Sequence, residues 1–150
     1  MALSTIRTQL KTLIETVTGI GKVYDHEKFS ADLKTRDDTF IKSGVLNVWD
    51  MRIIGIPEYT VTGSNAVEYN KWQFQIRGRY AYNDSEDSDI TVANLVKSIC
   101  ELFRGRATID NTANRWIPPI VAEWSNKMQF CGVLCHDIGI NIVIEERTVF

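Results

Sequence analysis

The chain has 150 residues, 44% hydrophobic and 24% charged, with a formal net charge of -2 at pH 7. That length suits one domain spanning 1–150 with a substantial core, and no apolar run in it is long enough to cross a bilayer. The slightly acidic balance argues against a free-standing nucleic-acid binder, whose affinity would come from clustered Lys and Arg.

Leu3, Ile6, Leu10, Leu13, Ile14 and Val17 recur at helical spacing, with Ser4 or Thr5 to start a helix and Gly19 to stop it. This predicts an amphipathic helix over 3–18, followed by a short extended piece at Lys22–Tyr24. Asp25 to Asp38 is charged, carries no period and reads as a loop. Residues 45–56, VLNVWDMRIIGI, read as a strand with Trp49, Met51 and Ile53 on one face and Asp50 and Arg52 on the other. Pro57, which cannot donate to a ladder, is expected to end it. The stretch 58–69 reads as a loop or hairpin arm.

The sharpest pattern is KWQFQIRGRYAYN at 71–83. Trp72, Phe74, Ile76, Tyr80 and Tyr82 fall on one parity; Gln73, Gln75, Arg77 and Arg79 fall on the other. Side chains alternate faces along a strand, so one face is aromatic and the other polar and basic. Acidic residues at 83–89 suit a helix N-terminus. Ile90, Ala93, Val96, Ile99, Cys100 and Phe103 then predict a second helix over 88–104. Residues 107–119 read as a polar loop containing Arg115, Trp116 and Pro118-Pro119. Ile120–Cys135 is expected as one long or broken strand, and Gly139–Glu145 as another. The order predicts an α+β fold: a mostly antiparallel sheet with two amphipathic helices packed on one face. The other face, carrying Gln73, Gln75, Arg77 and Arg79, must stay wet or meet another subunit.

Residue chemistry gives little sign of catalysis. Cys100, Cys131 and Cys135 are an odd number of thiols, and MALSTIRTQL has no signal-peptide core, so reduced cysteines in a cytoplasmic setting are expected. His136 beside Cys135 and Cys131 does not make a convergent four-ligand zinc set. Cys100 sits on the apolar stripe of a helix and reads as core. Glu145-Glu146 are neighbours that point to opposite faces of a strand and read as a solvated edge. Gly19-Ile20-Gly21-Lys22 follows a helix, whereas a phosphate-binding loop precedes one. The expectation is no enzyme, no metal and no cofactor. Interface anchors are expected instead: Gln73, Gln75, Arg77 and Arg79 on the open face, and Arg115 with Trp116 in a loop, since Trp and Arg are frequent anchors.

Four segments give the chain a resemblance: the opening amphipathic helix, GIGKVYDHEKF at 19–29, NVWDMRI at 47–53 and CHDIGINIVIEE at 135–146. With the order of elements over nearly the full chain, they resemble tail terminator (tail completion) proteins of long-tailed bacteriophages. The resemblance implies a structural virion protein without enzymatic activity or cofactor, assembled in the host cytoplasm. Its expected partners are further copies of itself in a ring, usually a hexamer, the tail tube protein whose polymerisation it stops, the neck or head-completion protein and, in sheathed tails, the sheath protein. Genomic DNA is expected to pass through the lumen unread. Loops at 25–44, 57–70 and 106–119 are expected to supply contact surfaces. A head–tail joining or head-completion neck protein is the alternative, and a small cytoplasmic enzyme with an unrecognised site the second alternative.

Overall fold

The computed structural model describes residues 3–27, 39–61, 63, 67–105, 108–109 and 114–149. Among them are two α-helices, α1 (Leu3–Ile14) and α2 (Ser88–Glu101), and six strands: β1 (Lys22–Val23), β2 (Ile41–Lys42), β3 (Val45–Glu58), β4 (Val67–Ala81), β5 (Arg115–Phe130) and β6 (Val133–Val149). The sheet order is β1-β3-β4-β6-β5, with β2 paired to β3. Every pairing is antiparallel except the short one between β1 and β3. The fold is α+β.

The alternation at 71–82 sets the layers. Phe74 and Ile76 are fully buried on one face of β4, and the same face of β3 and β6 adds Trp49, Met51, Ile138, Ile140, Ile142 and Ile144. Onto this face α1 lays Ile6, Leu10 and Ile14, one helical turn apart, and α2 lays Val92, Leu95, Val96 and Ile99. Each fully buried aliphatic or aromatic side chain contributes about 1.5–3 kcal/mol by leaving water.

A second, smaller cluster lies on the opposite face at one end. It contains Phe40, Leu46, Val48, Phe130 and Cys135, with the rings of Phe40 and Phe130 edge to face at 4.8 Å. Its presence limits the wet surface expected there.

Several boundaries differ from the sequence expectation. α1 stops at Ile14, and looser turns carry the chain on to Gly19. The first turn of α2 is rotated: Ile90 and Ala93 are exposed, and Val92 and Leu95 take the buried side. Val96, Ile99 and Phe103 belong to both possible stripes, so the helical period alone did not orient that turn. β3 runs through Pro57, where its ladder with β4 is already irregular and a missing N–H costs little. Residues 115–149 form one long hairpin. Cys131 and Gly132 turn it with φ of 49° and 79°, the positive values that a two-residue hairpin turn demands. Of the expected loops, 28–38, 62, 64–66, 106–107 and 110–113 lie outside the described residues.

Candidate interaction surface

Directly opposed residues of an antiparallel pair share a face, so the register builds the uncovered side of the sheet row by row. One row is Arg52, Gln75, Asn141 and Val121; the next is Asp50, Arg77, Gly139 and Glu123. The side chains hold one another. Arg52 Nε donates to Gln75 Oε1 at 2.8 Å, and Gln75 Nε2 donates to Asn141 Oδ1 at 3.1 Å. Arg77 reaches diagonally to Asp137, donating from Nε at 3.2 Å and from a terminal nitrogen at 3.4 Å. A shallow depression of about 120 Å³ lies among Arg52, Gln75, Arg77, Glu123 and Asp137. Gly139 forms its floor, and a Cβ there would fall 2.6 Å from Gln75 Nε2.

Further along the strands a row of charges crosses the sheet as Glu58, Lys71, Glu145 and Arg115. Lys71 Nζ lies 2.8 Å from Glu58 and Arg115 lies 2.7 Å from Glu145. The Glu58 hydrogen bond raises the Lys71 pKa, and the Glu145 hydrogen bond raises that of Arg115.

Three of the expected interface residues, Gln73, Gln75 and Arg77, lie together, half buried, on the uncovered face. Arg79 shares their parity but is 2% exposed. Its guanidinium sits 4.4 Å from the centre of the Phe130 ring and 3.6 Å from Asp50. Burial, then the nearby Arg77, pulls its pKa down. Arg79 therefore anchors the second cluster and is no surface contact of the folded subunit. Arg115 and Trp116 are not in a loop; they open β5, on opposite faces. Trp116 packs into the core with its ring 5.8 Å from that of Phe103. Glu145 and Glu146 are buried rather than at a solvated edge, because β6 lies between β4 and β5.

Sequence reasoning missed the pair Ser88 and His136. His136 Nε2 and Ser88 Oγ are 2.8 Å apart, and Ser88 Oγ also accepts the Asn83 N–H at 2.9 Å. Both residues are buried, and burial followed by the charge of Lys127 lowers the His136 pKa. The pair clamps the start of α2 to β6. A Ser at a helix start was the only signal in the sequence, and nothing marked its distant partner. Burial pushes the Cys135 thiol up to about 11 and raises that of Cys100, which suits inert thiols. Among the described residues no group of three or more His, Cys, Asp or Glu comes together to hold a metal ion, and no helix is long and apolar enough to cross a membrane.

No protein-family model and no curated protein sequence matches the chain.

Proposed function

We propose that the chain is a structural virion protein: a tail terminator that forms a ring on the end of the tail tube, stops its polymerisation and offers the surface to which the head and neck attach. The observation that carries the reading is the uncovered face of the sheet. Its arginines and amides are locked to one another through Arg52, Gln75 and Asn141 and through Arg77 and Asp137. A face of this kind is preorganised for a protein partner, because little side-chain freedom remains to be lost on contact.

The described parts of three segments that carry the resemblance also lie together. Lys22 and Val23 of 19–29 pair with Val48 and Trp49 of 47–53, and Asn47 Nδ2 donates to the Gly19 carbonyl at 3.1 Å. β3 and β6, which contain 47–53 and 135–146, flank β4. Partners in this reading are further copies of the chain, the tube protein and the neck protein, with DNA passing unread through the lumen. The test is electron microscopy of particles assembled without the protein. Tails of uncontrolled length support the terminator. Tails of normal length on leaking heads overturn it in favour of a neck protein.

A further inference from the structure

Among the described residues the sheet has two margins that are only partly paired. On its outer side β3 has no described strand partner beyond Trp49, and β5 none beyond Arg115, which Thr108 bridges. Unpaired strand edges are templates for another strand, and proteins normally blunt them. Here the blunting is partial: Pro57 interrupts β3 and Pro118-Pro119 interrupt β5, yet both margins also carry exposed apolar side chains. Among the described residues, most of the exposed large hydrophobic side chains belong to them: Ile54 and Ile56 in β3, Tyr59 and Val61 in the arm leading on to β4, and Val121 and Trp124 in β5.

We propose that these margins join copies of this chain head to tail, the β3 arm of one protomer against the outer edge of β5 of its partner. Two further observations select this occupant. The first is strand direction. β3, β4, β6 and β5 alternate, so β3 and β5 run oppositely. A copy related by rotation about an axis roughly along the strands therefore brings β3 beside β5 as antiparallel neighbours, the pairing of all the long strands in the sheet.

The second is charge. The row Glu58, Lys71, Glu145, Arg115 alternates in sign across four strands and ends in a carboxylate at one margin and a guanidinium at the other. The end members Glu58 and Arg115 have side chains 55% exposed, against 30% for Lys71 and 11% for Glu145. Head-to-tail contact continues the alternation into the next copy. A contact of β5 with β5 does not, because it brings together two margins of the same charge pattern. A repeated heterologous contact of this kind closes into a ring when its rotation allows. The proposal deepens the ring reading above and rests on it for closure, while the contact itself can be tested separately.

The test uses two blocked variants, Ile56→Lys and Val121→Lys, at half-exposed positions. Ile54→Lys serves as a second arm variant should Ile56→Lys fail to melt cooperatively. Mass is measured at a concentration where the unaltered protein is multimeric. Each variant alone is expected at the 17.1 kDa of one chain. A 1:1 mixture is expected to give a species of about twice that mass and nothing larger, since one intact arm meets one intact edge and the other two margins are blocked. Multimers that persist in either variant alone, or a mixture that stays monomeric, overturn the contact. An unaltered chain monomeric at every concentration overturns it as well. Multimers that persist in both variants leave the ring reading standing. A head-to-tail assembly that does not end tube growth keeps the contact and overturns the tail role.

Discussion

Gln75 takes a hydrogen bond from Arg52 and gives one to Asn141, and the absence of a side chain at Gly139 makes room for its amide. Gly139→Ala should push that amide off Asn141 and cost about 0.5–1.5 kcal/mol, the net worth of one hydrogen bond, because the added Cβ meets only the end of a flexible, half-buried side chain. In a Gln75→Ala background the same change should cost almost nothing, because the atom it strikes has gone. Urea denaturation of the four proteins of this cycle reads the coupling directly, and purely additive losses would show that Gly139 matters for some other reason. His136 sets a pH dependence. Its folded pKa lies below the ordinary value of 6.5, so the unfolded chain takes the proton first as pH falls. The stability held by the neutral clamp with Ser88 is therefore complete above about pH 7.5, declines through 6.5 and levels off below the folded pKa. Asp89 opposes the shift and Lys127 reinforces it. The difference in urea midpoint between the unaltered protein and His136→Asn should shrink from pH 7.5 to 5.5, and a constant difference would remove His136 from the acid response.

β5 is the element whose character was hidden. Pro118-Pro119 and the polar residues before it read as a loop, because proline is rare where every N–H is needed. On an edge strand the outward N–H groups have no ladder partner, so proline is tolerated, and the pairing with β6 is irregular between Ile117 and Val121. β4 was legible for the opposite reason: with a strand on each side and one face against two helices, its alternation is imposed by packing. α2 was legible as an element but not in its orientation, since Ile90 and Val92 are equally apolar and only the position of the sheet chooses between them. The placement of Trp116 in β5 changes what its removal should do. Trp116→Ala takes away a half-buried ring packed on Phe103, so the purified subunit should lose about 2–3 kcal/mol, the low end of the range for large-to-small core changes. For a chain of this size that is a fall of roughly 5–10 °C in melting temperature. An unchanged melting temperature would return Trp116 to the surface role its sequence suggested.

At the scale of the whole molecule, the parity of one strand anticipated two layers, and the sheet has a third partial one. Phe130, with Phe40 packed edge to face on it, comes from chain far from β4 in sequence and covers Arg79, so the polar face is open only over its middle and far rows. Nothing local in RGRY distinguishes Arg77, which stays at the surface with Asp137, from Arg79, which is buried with Asp50; the difference comes from the distant chain that folds over one of them. The open rows and the open margins can thus do separate jobs, the margins joining copies and the face meeting the partner. Gln73 lies half buried on that face, opposite Val143 and away from both margins. Gln73→Lys should change subunit stability by no more than about 0.5 kcal/mol, as surface changes do. It should leave the mass of the assembled ring unaltered and reduce the yield of infectious particles, because a new charge then has to be desolvated against the partner. A reduced ring mass would mean that the face also joins copies, and an undiminished yield at unchanged mass would mean that the partner contacts another surface.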